Sequence, residues 1–393
     1  MKVIRARIRG LGNTIESRWF ELSPRLNLFH FPEEKGRISF LQALAAINPL
    51  FSCENTRPFA DFPLVSRRLG YSKKIYPEKR TVALAIFITT PALVGDLAVV
   101  SPHLFQTDRI EIGRRLDYSR WINFVEIASS TRWREIAADL QQLADWARAI
   151  SPEKAARLAA ITQPLHESDR IKNGIDLALG KWLESLPAEI RQSSRQRIDK
   201  LARAIRRAED FHAARRIVEQ RLPIFTVLAN LPSQPEPLAP LLHQIADRVA
   251  EPGESPAAAG RDFLEQLNLH LAAMRFPGPR LHVYSPATGT GVKFSASPAL
   301  KSTSTPSGSL MHLKAAISLA IAFSQTACRT EPVLLFDSPE RYLPGPLHRQ
   351  LGEFILTVAE FCQCCYCYAS VDIFSRHRGI PRYTVTDLTT PVY

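Results

Sequence analysis

Glu331-Pro332-Val333-Leu334-Leu335-Phe336-Asp337-Ser338-Pro339-Glu340 is an apolar run that ends in an acid. A short continuous apolar run bounded by turn residues reads as a buried strand. Such a strand can deliver one carboxylate, that of Asp337, to a bound Mg²⁺ at its C-terminal end. The same residues also suit a core strand that runs into a turn at Asp337-Ser338-Pro339. Ser338 follows the acid, and a serine cannot act as a general base without its own activator.

The flanking sequence extends the pattern. Just over twenty residues upstream, Pro306-Ser307-Gly308-Ser309 closes a Ser/Thr/Pro-rich loop and leads into a helix predicted over Leu310–Gln325. A Ser/Gly-rich helix N-terminus is an anion site by geometry, although a capped helix after a flexible loop has the same form. Downstream, a helix is predicted over Pro346–Phe361, then strands over Phe361–Tyr368 and Tyr383–Thr386. A helix over Asp262–Met274 and a hairpin around Thr288-Gly289-Thr290 precede this region. The helix–strand alternation implies parallel strands covered by helices.

At the other end of the chain, strands are predicted over Val3–Arg9, Trp19–Leu22, Leu26–His30 and, further on, Thr81–Thr90. After His30 a loop spans Phe31–Gly36, and a helix covers Ile38–Ile47. Strand, loop and helix N-terminus in this order is where a P-loop belongs. The strict pattern G-x-x-x-x-G-K-[ST] is not met. Phe31 stands at the first Gly, Arg37 at the Lys and Ile38 at the Ser/Thr, and only Gly36 is kept. Glu33 and Glu34 place negative charge where phosphates would lie. Arg37 keeps a positive charge, as a planar fork and not a compact ammonium.

In order and spacing these pieces resemble one family. Leu11-Gly12, followed by Phe20-Glu21-Leu22-Ser23-Pro24-Arg25-Leu26-Asn27-Leu28, resembles the opening of SMC/RecF-like ATPases, the YhaN-like group in particular. Those proteins continue with a G-P-N-E-x-G-K-S-T loop, to which Pro32, Glu34, Gly36 and Ser39 conform. Leu334-Leu335-Phe336-Asp337-Ser338-Pro339-Glu340 resembles the L-L-I-D-E-P-E Walker B segment of overcoming-lysogenisation-defect and related ATPases. The family's switch histidine would fall near Tyr368-Ala369-Ser370-Val371, where Ser370 is the occupant.

The resemblance implies an α/β fold: a P-loop NTPase (ABC/RecF-like) head formed by N- and C-terminal segments, with an α-helical or coiled-coil insertion. It implies ATP and Mg²⁺ as ligands. Gly36, Arg37, Ile38, Ser39 and Asp337 would lie at the nucleotide, with Asp337 the Mg²⁺ ligand. Ser307, Gly308 and Ser309 would face the γ-phosphate of a second subunit. Ser338 stands where the catalytic Glu is expected, and Glu340 is the nearest acid that could replace it. The catalytic Glu, the switch His, the Lys and the Mg²⁺-binding hydroxyl are all changed. Each such loss costs orders of magnitude in rate. The expectation is an ATP-binding or pseudo-ATPase subunit. An active ATPase with an atypical site and an interaction scaffold without nucleotide are the alternatives. A homodimer, or a heterodimer with a related ATPase, is the expected assembly.

Between the two α/β parts the chain turns helical. We expect residues 1–128 and 251–393 to form the halves of the head and 129–250 the insertion. Trp133, Ile136, Leu140, Leu143, Ala147 and Ile150 make a heptad seam, the mark of a short coiled coil. Ser151 and Pro152 serve as N-cap and first residue of the next helix. A further helix is predicted over Ser168–Leu186. Ala188–Leu222 contains no Gly or Pro and could make one helix about 50 Å long. A helix over Leu241–Val249 ends the insertion, and a linker over Glu251–Gly260 follows it.

Within Arg191–Arg221, ten Lys or Arg face four acids, a net +6 in 31 residues. The chain as a whole carries +12 over 393 residues. A rod bearing Arg195, Arg203, Arg206 and Arg207 could lie along a phosphate backbone, and a solvated helix face would look the same. Phe211 is the only aromatic there, so DNA would be bound without regard to sequence.

Hydrophobic residues are 45% and charged residues 22%, globular values. No apolar run approaches membrane-spanning length, and Met1–Ile8 alternates like a strand, so a cytoplasmic protein without a membrane partner is expected. Cys362, Cys364, Cys365 and Cys367 alternate along a predicted strand. Pairs on opposite faces cannot close a tetrahedral zinc site, so buried reduced thiols are expected there.

Overall fold

A computed structural model describes residues 1–11, 15–50, 57, 59–60, 62, 65–68, 71–102, 104–172, 174–228, 256–274, 281–284, 293–296 and 306–388. Gly12, Cys53, the expected helix Leu241–Val249, the turn Thr288-Gly289-Thr290 and the first half of the expected linker lie outside the described residues. The strands are β1 (Lys2–Leu11), β2 (Ile15–Glu16), β3 (Phe20–Glu21), β4 (Leu26–His30), β5 (Val65–Arg68), β6 (Tyr71–Lys74), β7 (Thr81–Ile88), β8 (Arg109–Arg115) and β9 (Arg120–Phe124). They continue with β10 (Phe225–Leu228), β11 (Leu281–Tyr284), β12 (Lys293–Ala296), β13 (Val333–Asp337), β14 (Gln363–Tyr368) and β15 (Arg382–Thr384). The helices are α1 (Glu34–Ala45), α2 (Pro91–Val100), α3 (Trp133–Ile150), α4 (Pro152–Thr162), α5 (Ile175–Glu184) and α6 (Ala188–Ser193). After them come α7 (Arg195–Arg221), α8 (Pro256–Ala273), α9 (Pro306–Cys328), α10 (Gly345–Ala359) and α11 (Val385–Leu388).

The chain divides into two compact units. The first joins 1–89, 109–122 and 221–393, so N- and C-terminal segments build one α/β body. Its parallel sheet has the order β10-β13-β14-β4-β15, and a mainly antiparallel sheet runs β2-β1-β7-β8-β9 with β3 beside β1. Every residue of β13 is buried, as its unbroken apolar run requires. The helix α9 is buried without interruption from Ala315 to Phe323. It shares one core with α8, α10 and the sheet, which includes Leu319, Leu334, Phe336, Ile355 and Leu267.

Two sets of buried polar contacts and one close steric fit hold this unit together. Gln363 accepts from the Val3 amide at 2.8 Å and donates to the Val3 and Ser23 carbonyls at 2.6 and 2.8 Å, tying β14 to β1. Arg114 on β8 donates to the carbonyls of Ala46 and Ile47, the open C-terminal end of α1. Gly113 leaves room for the Trp121 indole: a Cβ there would stand 2.3 Å from the ring.

Phe225–Leu228 was expected inside the insertion. It instead forms β10, pairing in parallel with Val333–Phe336. The amide of Phe225 donates to the Asn48 carbonyl at 2.8 Å. Both contacts are distant in sequence, so the local pattern could not reveal them. The helix α8 begins at Pro256, inside the expected linker, because Pro at N1 followed by three alanines starts a helix well.

The second unit comprises 90–108 and 123–220. Thr90 caps α2 by accepting from the Leu93 amide at 3.3 Å, so β7 stops at Ile88. Helix α3 spans the expected Trp133–Ile150. It runs antiparallel to α7: Thr131 donates to the Ala204 carbonyl, Lys200 meets Asp139 and Arg197 meets Gln142. The heptad seam does not stay a two-stranded coil. Ile136, Leu140, Leu143 and Ala147 share a core with Leu158, Leu179, Trp182, Leu201 and Ile205. The Trp182 ring, fully buried, donates to the Lys154 carbonyl at 2.8 Å.

The helix expected from Ser168 begins only at Ile175, after Gly174 takes φ 93°. The long helix expected over Ala188–Leu222 breaks at Ser194 into α6 and α7. Ser151 stands at the N-cap of α4, but its hydroxyl donates to Glu153 and caps no backbone amide. Among the described residues no helix is long and apolar enough to cross a membrane.

Candidate functional site

The C-terminal ends of β13, β14 and β4 meet at one edge of the parallel sheet. The register sets Asp337 beside Cys367, Cys367 beside Phe29 and Tyr368 beside His30. Ligands of open α/β sheets bind at this edge.

The segment expected to cradle phosphate has a different form. After His30 only Phe31, Pro32 and Glu33 precede α1, which starts at Glu34 and not at Ile38. Lys35, Gly36 and Arg37 are therefore in the first turn of a helix. The Phe31 ring is buried and lies 4.9 Å from that of Phe40, which in turn is 4.8 Å from Phe29. A Cβ on Gly36 would stand 3.9 Å from Phe31. A P-loop needs glycine to bring backbone amides to a phosphate; at the first of those positions stands Phe31, whose side chain packs into the core against Phe40.

Arg37 points inward. It is 2% exposed, and its Nε donates to Oδ1 of Asp337, itself 6% exposed. Nη1 of Arg37 has no hydrogen-bond partner among the described residues. On the outside, Arg341 meets Glu34 at 3.6 Å. The first turn of α1 is thus joined to the end of β13 and to the turn after it by two ion pairs of opposite sense. Ile38 and Ser39 are half-buried on α1, and Lys35 is exposed.

Ser338 is fully buried and left-handed, at φ 44°. Its hydroxyl donates to the Cys367 carbonyl at 3.1 Å, and its amide reaches the same oxygen at 2.8 Å. Glu340 is 2% exposed, and its Oε2 accepts from the Tyr366 hydroxyl. Burial raises the Glu340 carboxyl above its ordinary value of 4.5, against the hydrogen bond from Tyr366 and the nearby His348 and Arg37. His348 Nε2 lies 2.9 Å from the carbonyls of both Glu340 and Leu343.

A raised folded-state value favours the protonated acid in the folded chain. Stability from this group is full below 4.5 and falls as pH rises through the raised value. Glu340→Gln keeps an acceptor for Tyr366 and removes the buried charge. It is expected to raise the melting temperature at neutral pH and to flatten the stability profile above 4.5. A variant less stable than the parent at pH 7, with the pH dependence intact, would refute the assignment.

The residues present do not fit a magnesium nucleotide in this arrangement. The carboxylate expected to hold the ion is paired with a guanidinium, Ile38 offers no hydroxyl, and Phe31 stands where the first P-loop glycine is expected. Ser307, Gly308 and Ser309 fall in the first turn of α9, and their side chains lie outside the described residues.

Two residues here escaped the sequence reading. His30 stacks on Tyr368 at 5.1 Å, with Nε2 3.1 Å from the Ala369 carbonyl. A histidine thus reaches the expected switch turn from the neighbouring strand, while Ser370 is exposed. Tyr366 lies in the strand predicted over Phe361–Tyr368, whose pattern gives it no partner. Its bond to Glu340 depends on the turn after β13 folding back over β14, which leaves no local signal.

Of the candidate nucleic-acid residues on α7, Arg195, Arg203 and Arg206 are exposed. Arg203 donates to the Asp199 carbonyl at 3.2 Å, and half-buried Arg207 lies 3.9 Å from Glu135. The four cysteines at 362–367 are buried free thiols. Burial pushes Cys362 and Cys365 up to about 12. Among the described residues no three His, Cys, Asp or Glu side chains could hold a metal ion.

No family model matches the chain, and no curated protein sequence matches it. Among solved structures it is similar to an SMC head bound to the C-winged helix domain of ScpA. Identity is 10% and the TM-score 0.42, over 96% of this chain and 92% of that one. It is also similar to the recombination mediator protein RecF-ATPrS of the RecFOR pathway, at 12% identity and a TM-score of 0.41 over 99% and 98%. For an SMC head domain from Thermotoga maritima the values are 11% and 0.34 over 94% and 89%. At these identities the likeness concerns the fold alone.

Proposed function

We propose that the chain is a degenerate head of the ABC/SMC/RecF class, a pseudo-ATPase that works as a structural or regulatory subunit on or near DNA. The observation that carries this reading is the buried Arg37–Asp337 pair. A guanidinium tethered to α1 neutralises the carboxylate that would otherwise recruit a metal ion. The head is thereby held assembled by an internal cation. In a homodimer, or beside an active relative, such a subunit contributes a surface and no turnover. The test is Mg·ATP calorimetry and a hydrolysis assay on the purified protein: neither binding at millimolar ATP nor turnover above background is expected.

The DNA part of the reading is supported by the exposure of Arg195, Arg203 and Arg206 on one side of α7 and by the net charge of +12. Asp199, Glu209 and Asp210 lie on the same helix, so any binding rests on phosphate contacts and weakens with salt. Arg203→Glu with Arg206→Glu is expected to weaken duplex binding at least tenfold and to flatten its salt slope. Unchanged affinity and slope would remove DNA from the function.

A further inference from the structure

The helical unit contains a cleft of about 500 Å³ that the reading above does not use. One side is made where two extended segments meet. Ile171 donates to the Thr131 carbonyl at 2.9 Å, Trp133 donates to the Asp169 carbonyl at 2.7 Å, and Arg132 bridges to Arg170. Ile171 is fully buried, while Arg170 and Lys172 on either side of it are exposed and line the cleft with Ser129 and Ser130.

The opposite side is one face of α7. Ala208, Phe211, His212 and Arg215 follow at spacings of three, four and seven. The Arg215 guanidinium lies 4.9 Å over the Phe211 ring, which aligns its planar fork. The first turn of α5 closes the third side with Asp176 and Leu177.

Two acids also line this cleft, Glu209 and Asp176. The Asp176 Oδ1 is engaged by the backbone amides of Gly174 and Leu177, at 2.9 and 3.1 Å. Arg170, Lys172 and Arg215 outnumber the two acids, and His212 adds a fourth nitrogen base. In the neighbouring cleft on α7, Lys200 is paired with Asp139 and Arg207 with Glu135. Arg170 and Lys172 make no ion pair among the described residues. Cations from two segments converging with hydroxyls on a concavity of this size match the chemistry of an oxyanion with several acceptor oxygens. Phe211 is buried, so its ring is not offered to a base, and recognition is by charge.

We propose that this cleft binds a phosphate group, carried either by a free nucleotide-sized ligand or by a nucleic-acid strand. The assignment rests on the helical unit alone and is independent of the ATPase reading. The test is calorimetry of the full chain, in magnesium-free, low-salt buffer, with inorganic phosphate, with a nucleoside monophosphate and with a short single-stranded oligonucleotide. Binding of at least one probe is expected, and Arg170→Glu with Lys172→Glu should weaken it tenfold or more. Arg170→Gln with Lys172→Gln is the milder pair, should charge reversal disturb folding. Binding of the small probes identifies a free ligand, and binding of the oligonucleotide alone identifies a strand. Arg203→Glu with Arg206→Glu, which removes the exposed α7 charges, should leave phosphate or monophosphate binding in place. No binding by the folded parent protein, or affinity unchanged in both double variants, would overturn the assignment.

Discussion

Arg37→Met is expected to lower the unfolding free energy by about 3–5 kcal/mol, because it leaves the carboxylate of Asp337 buried without a counter-charge. Arg37 is 2% and Asp337 6% exposed, so water cannot take over the lost partner. Asp337→Leu alone should cost a similar amount, for the guanidinium is then unpaired. The double variant, Arg37→Met with Asp337→Leu, should recover most of the loss. Well-packed apolar pairs often replace buried ion pairs at no net cost. Urea unfolding of the four proteins measures the coupling directly. Single variants within about 1 kcal/mol of the parent would mean the pair is open in solution, and the tethered-cation reading would fall with it.

The second large effect is the absence of a reaction. The parent protein is expected to hydrolyse Mg·ATP no faster than buffer, and Ser338→Glu should not rescue it. Restoring a catalytic acid is worth orders of magnitude only where the rest of the site is assembled. Here α1 starts at Glu34 with no glycine-rich loop before it, and Arg37 holds Asp337. Position 338 is itself buried at φ 44° and faces the Cys367 carbonyl. A glutamate there would be strained and would aim its charge at a carbonyl oxygen, so lower stability is the expected outcome. A rate increase of tenfold or more in Ser338→Glu would favour an active enzyme with an atypical site. In that event the buried Glu340 would be the residue to remove next.

The contrast between these variants follows from where information lies in the chain. Val333–Asp337, Leu26–His30 and Trp133–Ile150 were legible as strand, strand and helix, because hydrophobic period and turn residues are local properties. The order of elements also told that both ends of the chain form one α/β unit. Helix α1 starts four residues before its local pattern predicts, because Glu34 to Arg37 continue the helix once Phe31 packs under it on Phe40. Phe225–Leu228 was assigned to the wrong part, because a four-residue apolar stretch acquires its place only by pairing with β13.

By itself, then, the sequence determined the kinds of groups at the sheet edge: an arginine, a serine and a phenylalanine, where the resemblance leads one to expect a lysine, a glutamate and a glycine. Only the tertiary structure decided what those groups do. Arg37 and Asp337 are 300 residues apart and meet because β4 and β13 flank β14 in one parallel sheet. Glu340 meets Tyr366 because the turn after β13 lies beside β14. Charge and size belong to a residue, but distance and burial belong to the fold. A buried pair draws its strength from the low dielectric that distant segments create around it.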